Sequence, residues 1–410
     1  MKDEKKAPKL RFKGFTDDWE QCKLSDISEK SYEKNTDNKY STVLTNSAEY
    51  GIVKQRDFFD KDIANSSNIS GYYVVRKNYF VYNPRISNQA KFGPINRNKL
   101  DESGIMSPLY LVFTVHDIDE SFLETLFQTT TWHRFMYQNG DTGARADRFA
   151  IKDSTFMSMP IKVPSLEEQH KLALAFQKLD QTITLHEDKK RQLERIKSAL
   201  LQKMFANKSE YPAIRFEGFS AEWEQCKLGD VANFSKGTGY SKSDLKGTGS
   251  PIILYGRLYT KYETIIQNVN TFVVPKSGSV FSKGGEVIVP GSGETAEDIS
   301  IASVVEPAGI LLGGDLNIIY PNSDLDPAFL AITISNGKPH FDMARRAQGK
   351  SVVHLHNADL KHILLKTPNL SEQKRISKIF ESLDQTITLH DQKLSFLKRL
   401  KQTLLQKMFI

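Results

Sequence analysis

The sequence predicts an α+β protein in which two mixed α/β domains are joined by two long coiled-coil helices. Three observations support this prediction. The chain of 410 residues repeats itself once, each repeat ends in about 40 residues without Pro or Gly, and each repeat contains short apolar runs between turn residues. Hydrophobic residues at 39% and charged residues at 26% are typical of a globular protein, and the apolar runs are too short to span a membrane.

The internal repeat is visible as motifs that return at a constant spacing. Arg-Phe-x-Gly-Phe begins at Arg11 and again at Arg215, and Leu-Asp-Gln-Thr-Ile-Thr-Leu-His begins at Leu179 and again at Leu383. Each of these second copies lies 204 positions after the first. Between the motifs, residues 40–115 and 237–320 share no run that aligns. One part of each repeat is therefore constant and another part differs.

The constant and variable parts divide the chain into four predicted segments. These are a first variable domain at residues 1–163, a first constant helix at 164–206, a second variable domain at 207–367 and a second constant helix at 368–410. Runs of β-branched and aromatic residues predict strands at 71–75, 79–82 and 108–113 in the first domain and at 251–255, 271–274 and 286–289 in the second. A shorter helix is predicted at 120–137.

Each constant segment predicts a long helix with a coiled-coil stripe. Ser165 and Glu168 form an S-x-x-E capping box, and Asn369 with Glu372 repeats its chemistry. Apolar residues then alternate at spacings of four and three, the pattern of helices that pair with one another. The predicted pairing residues are Leu172, Phe176, Leu179, Ile183, Leu193 and Leu200 in the first helix and Ile376, Phe380, Leu383, Ile387, Leu394 and Leu404 in the second. His186 and His390 fall on the same stripe, where packing is preferred over a metal or pH-switch role.

The sequence contains no recognisable catalytic or metal-binding motif. Its two cysteines, Cys22 and Cys226, are one position copied twice, and a packing role is preferred over a reactive thiol. His354 and His356 alternate on a predicted strand but lack further ligands at zinc spacing. No phosphate-binding loop has all of its glycines. We therefore predict no catalytic residue and no metal site.

The charge balance and several loops favour a nucleic-acid partner. Lys and Arg number 56 against 49 Asp and Glu, which gives a net charge of +7. Loops of both variable domains combine residue types that contact phosphates and base edges. The predicted DNA-contacting residues are Tyr82, Asn83, Arg85, Asn88, Gln89, Lys91, Arg145 and Arg148 in the first domain and Lys236, Thr238, Tyr240, Lys242, Tyr255, Arg257, Tyr259 and Lys261 in the second.

The repeated motifs resemble those of specificity subunits of type I restriction–modification enzymes. They are Arg-Phe-x-Gly-Phe followed by Trp-Glu at Trp19 and Trp223, Pro-x-Leu-x-Glu-Gln at the start of each long helix, and Leu-Asp-x-x-Ile with Leu-Leu-Gln-Lys-Met-Phe inside the helices. The resemblance extends over essentially the whole chain. It implies that the variable domains are target recognition domains related by a pseudo-twofold axis, and that the two helices pack antiparallel as a spacer.

The same resemblance implies a non-catalytic, DNA-binding subunit. Each domain would read one half of a bipartite target in double-stranded DNA, and the helices would set the gap. The implied protein partners are two methyltransferase subunits and, through the complex, restriction or translocase subunits. No cofactor is expected on this chain, whereas S-adenosylmethionine, ATP and Mg²⁺ are expected on the partners. A cytoplasmic location without a membrane partner is expected because the sequence shows no secretory signal.

Two other classes of protein remain open at this stage. An enzyme that acts alone would need a catalytic cluster that the motifs do not reveal. A coiled-coil adaptor without DNA binding would explain the long helices. It would not explain two differing domains that are both rich in Arg, Asn and Tyr.

Overall fold

The computed structural model describes residues 7–58, 66–141, 147–206, 210–349 and 352–410, which form two compact units. Unit 1 comprises Met1–His186 and Lys393–Ile410, and unit 2 comprises Glu187–Gln392. Each unit therefore contains one variable segment, the beginning of one long helix and the end of the other. Among the described residues, no helix combines the length and apolar composition needed to cross a membrane.

The elements of the first half of the chain are short until the long helix begins. They are β1 (Glu20–Lys23), β2 (Ser28–Lys30), β3 (Leu44–Ser47), β4 (Gly51–Lys54), α1 (Gln55–Phe58), β5 (Tyr73–Val75), β6 (Phe80–Tyr82), β7 (Ile95–Arg97), β8 (Gly104–Met106), β9 (Leu111–Val115), α2 (Glu120–Phe127), α3 (His133–Asn139), α4 (Asp153–Met157), β10 (Pro160–Val163) and α5 (Leu166–Lys203). Short 3-10 turns lie at Leu24–Asp26 and Ser66–Gly71.

The second half repeats this plan with more strands. Its elements are β11 (Glu224–Lys227), α6 (Leu228–Val231), β12 (Ala232–Lys236), β13 (Ser250–Ile253), α7 (Arg257–Thr260), β14 (Ile265–Ile266), β15 (Phe272–Val273), β16 (Glu286–Pro290), β17 (Ser292–Gly293), β18 (Ser303–Val305), β19 (Leu311–Leu312), β20 (Leu316–Pro321), α8 (Pro327–Asn336), α9 (Lys338–Arg346), β21 (Val353–His354), α10 (Asn357–Lys361), β22 (Leu364–Thr367) and α11 (Leu370–Met408). A 3-10 turn lies at Lys242–Asp244.

The two units share one sheet arrangement although their variable sequences do not align. Unit 1 has a four-stranded antiparallel sheet in the order β2-β9-β6-β7, and unit 2 has the corresponding order β12-β20-β16-β18, extended by β14. Helix α2 follows β9 and is capped by Asp119. Helix α8 follows β20 and is capped by Asp326. The backbone N–H groups of these two residues donate to Gln169 and Gln373, each at 2.9 Å. Gln169 and Gln373 occupy the same position in the two long helices, so they attach two different domains in the same way.

Five of the six predicted strands overlap observed strands closely, whereas the predicted helix at 120–137 is wrong as a single element. The strand at 108–113 begins later, at Leu111. The helical segment is divided into α2 and α3 by residues 128–132. Thr129 donates through its hydroxyl to Leu126 O at 2.6 Å, and Trp132 Nε1 donates to Phe127 O at 3.2 Å. Side-chain hydrogen bonds of this kind compete with the helical pattern and end α2.

The two long helices run antiparallel within each unit. They contain 38 residues in α5 and 39 residues in α11. In unit 1 Lys401 Nζ lies 2.6 Å from Asp180 Oδ1, and in unit 2 Lys190 Nζ lies 2.8 Å from Asp391 Oδ1. Lys197 also pairs with Asp384, so residue numbers rise along one helix while they fall along the other. The predicted antiparallel helices are confirmed.

The apolar stripe packs partly between the helices and partly into the domain cores. Ile183 and Leu394 form a small cluster with Leu179 and Leu397. The core of unit 1 includes Leu172 and Phe176 with Leu404 against it, the core of unit 2 includes Ile376 and Phe380 with Leu200 and Leu383 against it, and Leu193 and Ile387 are half-buried. The individual pairing roles assigned from the sequence stay predictions.

The residues just after the end of each long helix complete the core of one unit. Phe409 packs with its ring centroid 5.5 Å from that of Phe122 and 6.1 Å from that of Trp19 in unit 1. Phe205 packs in the same way 5.7 Å from Phe329 in unit 2. The repeated Leu-Leu-Gln-Lys-Met-Phe motif therefore supplies an aromatic side chain to a core, and each core contains residues from widely separated parts of the sequence.

A buried ion pair connects the first motif of each repeat to its long helix. Arg11 Nε and Nη2 donate to the two oxygens of Glu168, both at 2.7 Å, and Arg215 binds Glu372 with the same two distances. Side-chain exposure is 13% for Arg11 and 1% for Glu168. The hydrogen bond to Glu168 raises the pKa of Arg11 further above its usual value.

This ion pair changes the predicted capping box. Ser165 Oγ accepts a hydrogen bond from the Glu168 N–H at 3.4 Å, as the motif predicts. Both oxygens of Glu168 accept instead from Arg11, which lies 157 positions earlier in the chain. The S-x-x-E pattern thus marks the helix start correctly, while the carboxylate serves a tertiary contact.

The duplicated cysteines are packed beside the same strand in each repeat. Cys22 Sγ lies 3.7 Å from Ile161 O, which can accept its weak hydrogen bond. Burial raises the pKa of both the Cys22 and the Cys226 thiol above the usual value. A raised pKa keeps a thiol protonated at neutral pH, as expected for a packing residue.

Replacing Arg11 with Ala would leave the Glu168 carboxylate buried without its partner. We expect Arg11→Ala to lower the free energy of unfolding by about 3–5 kcal/mol in urea denaturation. Arg191→Ala is the matched control, because Arg191 is 60% exposed and pairs with Asp188 on the same helix face. The control should change stability by less than about 1 kcal/mol. Equal losses in the two variants would contradict a structural role for the buried pair.

Candidate nucleic-acid interface

In unit 1, two loops that carry predicted DNA contacts are joined at the end of β6. Phe149 N–H donates to Pro84 O at 2.8 Å, and Ile86 N–H donates to Asp147 O at 3.0 Å. These bonds place Arg85 and Arg148 directly opposite each other in an antiparallel bridge. Residues that are 63 positions apart therefore form one short ribbon. Arg145, also predicted to contact DNA, lies outside the described residues.

Two of the predicted DNA contacts in unit 1 have buried side chains. Tyr82 is 4% exposed, its ring stacks on Phe156 at 4.6 Å, and its hydroxyl donates to Phe92 O at 3.0 Å. Asn83 is 6% exposed, and its amide donates to Asn46 O at 2.8 Å. Burial also raises the pKa of the Tyr82 hydroxyl. Both side chains therefore pack beneath the loop and are not exposed on its surface.

The exposed candidates of unit 1 lie on a compact turn. Arg85, Asn88, Gln89 and Lys91 are exposed, whereas Arg148 is half-buried. The backbones of Ser87 and Ala90 exchange hydrogen bonds at 3.0 and 3.2 Å, which closes the turn. Gly93 has φ +82°, and a Cβ atom there would lie 2.0 Å from Asn83 O. The turn is therefore held close to the end of β6.

Aromatic rings form a rigid layer beneath this turn. The Phe92 ring lies 5.1 Å from both His133 and Phe149, and His133 lies 4.5 Å from Trp132. Burial, with a smaller contribution from the Lys91 charge, lowers the pKa of His133. His133 is therefore neutral at physiological pH and packs as an aromatic ring. Sequence reasoning did not identify this layer because its members come from separate segments.

Unit 2 repeats the same loop junction with different side chains. Leu355 N–H donates to Gly291 O at 3.0 Å, as Phe149 does to Pro84 in unit 1. Strands β17 and β21 pair beside it, so Ser292 lies opposite His354. The glycine-containing segment after β16 is thus a short strand. His354 and His356 stack with centroids 6.4 Å apart, and the described residues contain no group of three potential metal ligands.

A second candidate loop of unit 2 follows β12. Lys236 and Lys242 are exposed, and Thr238 is half-buried with its hydroxyl accepting from Val280 N–H at 3.3 Å. A Cβ atom at Gly237 would lie 1.9 Å from Gly313 O, so only glycine permits this close approach. The loop packs directly against the neighbouring backbone.

Tyr240 is buried beneath the loop rather than presented on it. It is 9% exposed, and its hydroxyl accepts from Lys276 N–H at 2.7 Å. Lys276 Nζ lies 4.7 Å from the centre of the Tyr240 ring and 2.7 Å from Asp244 Oδ1. This set of contacts fixes the 3-10 turn that carries Lys242.

The remaining candidates of unit 2 lie on or beside the short helix α7. Arg257 is held by Glu263 Oε2 at 2.6 Å and by Asn268 O at 2.9 Å, and its side chain is only 10% exposed. Lys261 lies 3.3 Å from the same carboxylate. Tyr255 packs edge-on against Tyr259 at 6.1 Å, and burial raises the pKa of Tyr259 to about 12. Arg257 and Lys261 therefore both pair with the Glu263 carboxylate.

Comparisons with known proteins agree with the duplicated architecture. A profile described as the type I restriction modification DNA specificity domain matches residues 16–195 and again residues 220–399. The chain is also 21% identical over 305 residues to the type I restriction enzyme MjaVIII specificity subunit of Methanocaldococcus jannaschii, a match that covers 71% of this chain and 67% of that protein.

Solved structures give a likeness of fold. The type-I restriction-modification system S subunit from M. genitalium has a TM-score of 0.60 with this chain at 15% identity, covering 98% of this chain and 99% of that chain. The HsdS subunit from Thermoanaerobacter tengcongensis has a TM-score of 0.44 at 15% identity, covering 95% and 96% of the two chains. The first of these likenesses confirms the predicted fold.

The contact between Lys276 and Asp244 predicts a titration. Hydrogen bonds from Lys276 and from the Ser241 backbone lower the pKa of the Asp244 carboxyl from 3.8 to about 2. Because the folded pKa is lowered, the contact contributes to loop order above the ordinary value of 3.8 and is lost as the pH falls through about 2. We expect carbon-13 NMR, with the signal assigned by Asp244→Asn, to give an apparent pKa near 2.

Lys276→Ala should raise the pKa of the Asp244 carboxyl towards its ordinary value of 3.8. Lys242→Ala is the control, because it removes a nearby charge without breaking the contact between Lys276 and Asp244. An Asp244 carboxyl that titrates normally in the unmodified protein would contradict the ordered loop.

Proposed function

The chain belongs to the family of the type I restriction modification DNA specificity domain, and on this premise we propose that it reads a bipartite target in double-stranded DNA. Unit 1 reads one half-site and unit 2 reads the other. The observation that carries this proposal is the loop junction common to both units, where Arg85 and Arg148 in one correspond to Ser292 and His354 in the other. A repeated support with different side chains suits two readers of different sequences.

The chain acts as the non-catalytic specificity subunit and directs adenine methylation and restriction by partner subunits. Leu185 and Leu389 occupy the same position in the two repeats and are 60% and 63% exposed. Because the two helices repeat the same exposed position, a partner that binds one helix there has an equivalent site on the other, and we assign the two partners as methyltransferase subunits. Restriction or translocase subunits join through that complex. S-adenosylmethionine, ATP and Mg²⁺ bind the partner subunits, and the complex acts on DNA in the cytoplasm.

The experiment that tests this function is genome-wide mapping of methylated adenines. Cells would receive this chain together with its methyltransferase subunit, and control cells would receive the methyltransferase subunit alone. We expect a two-part motif with a fixed gap that appears only when this chain is present.

An alternative function that would also explain the long helices is that of a coiled-coil adaptor that does not bind DNA. Absence of new methylation, with the methyltransferase subunit folded and bound to this chain, would favour the adaptor and contradict the proposed function. Binding of the purified complex to DNA at increasing salt provides a second measurement, since a reader that contacts phosphates loses affinity steeply as salt rises.

The long helices set the gap between the half-sites in this proposal. Four residues of helix span about 6 Å, and one base pair spans about 3.4 Å. Deleting one helical turn from α5 and the facing turn from α11 should therefore change the gap by about one or two base pairs. Methylation mapping should show both half-site sequences unchanged. A deletion variant that methylates the original motif with the original gap would contradict the role of the helices as a spacer.

A further inference from the structure

Arg85 and Arg148 form a pair of like charges in unit 1. They lie directly opposite each other in the antiparallel bridge at the end of β6. Side chains at directly opposed positions extend from the same face of the ribbon, and like charges in this arrangement repel each other. A negatively charged or acceptor-rich ligand between the two guanidinium groups would remove this cost.

The two guanidinium groups retain unused hydrogen-bond donors. Arg85 is exposed, and among the described residues its side chain has no polar partner. Arg148 is 29% exposed, and its Nε lies 4.0 Å from Asp147 Oδ2, too far for a hydrogen bond. This Nε atom is buried and has no acceptor among the described residues. A buried donor without an acceptor is costly, so the pair is suited to a ligand that supplies acceptors.

The backbone beneath the pair is fixed on both sides. Asn83 Oδ1 accepts from the Arg85 N–H at 3.0 Å, and Phe149, next to Arg148, is 5% exposed within the aromatic layer. The bond from Phe149 N–H to Pro84 O joins the two strands at 2.8 Å. Little conformational freedom of the backbone is therefore lost when a ligand binds, which favours selective recognition.

Unit 2 has the same junction without the arginines. Ser292 is 5% exposed there, and the exposed His354 stacks on His356. This difference suits a position that reads bases, because two half-sites of different sequence call for different side chains.

We infer that Arg85 and Arg148 recognise guanine in the half-site read by unit 1. Arginine binds the O6 and N7 acceptors of guanine with two donors in the major groove, and no other base presents this pair of acceptors there. The inference rests on the proposed function, since it assumes that unit 1 contacts DNA. His354 occupies the Arg148 position in unit 2, so the second half-site is read by different chemistry.

The test is methylation mapping with four variants and a matched control. The variants are Arg85→Ala, Arg148→Ala, Arg85→Lys and Arg148→Lys. We expect each to lower discrimination at a G·C position of one half-site by about 10- to 100-fold and to leave the other half-site unchanged. The Lys variants retain the charge but not the planar pair of donors, so discrimination at guanine falls while a phosphate contact largely persists.

Arg76→Ala is the control, because Arg76 lies before β6 while Arg85 follows it, and its guanidinium binds Glu33 at 2.6 Å. It removes the same charge from the opposite end of the strand and should leave the motif unchanged. Circular dichroism and thermal unfolding of each variant establish that it is folded, and the Lys variants test the inference alone if an Ala variant unfolds.

Three outcomes separate the inference from the function on which it rests. Relaxed selection at a G·C position supports it. Weaker methylation of an unchanged motif in both the Ala and the Lys variants identifies a phosphate contact and overturns the inference while the proposed function stands. Failure of the unmodified chain to direct any methylation overturns the proposed function itself.

Discussion

The buried ion pair between the first motif of each repeat and the start of its long helix is the constraint on which each unit depends. Glu168 and Glu372 lie in the first helical turn with no exposed surface, where the helix dipole and one arginine compensate their charge. The pair joins residues 157 positions apart in both repeats. It therefore fixes where the variable segment begins and ends, whatever sequence lies between.

Between these fixed ends, both variable segments form a sheet with the same strand order, and they differ in the loops at the ends of its strands. Strands β6 and β16 are central in their sheets, and each ends at a loop junction with the same backbone hydrogen bond. The side chains that surround the junction are free to change because backbone groups make the connection. The residues that read DNA can therefore change while the core stays the same. Buried residues such as Tyr82 and Tyr240 pack beneath the loops that carry the exposed donors.

The sequence predicted what depends on local periodicity and on the repeat. The two helices, their antiparallel pairing through the family resemblance, and most strands follow from patterns within a few residues or from exact recurrence. The contact of Arg11 with Glu168, the opposition of Arg85 and Arg148, and the division of α2 from α3 depend on tertiary neighbours. Side-chain type alone also could not separate exposed Lys91 from buried Asn83, because both suit a base-reading loop in composition.

The core of unit 1 includes residues 408–409, and this affects when unit 1 can fold during synthesis. Leu10 N–H donates to Lys407 O at 2.9 Å, and Phe409 lies in the same core as Trp19. Unit 2, by contrast, is one continuous segment, Glu187–Gln392. On the ribosome, the N-terminal unit therefore cannot complete its core until Phe409 has been synthesised, which happens after every residue of unit 2. Complete folding of the N-terminal domain first, the usual order during synthesis, is therefore excluded for unit 1.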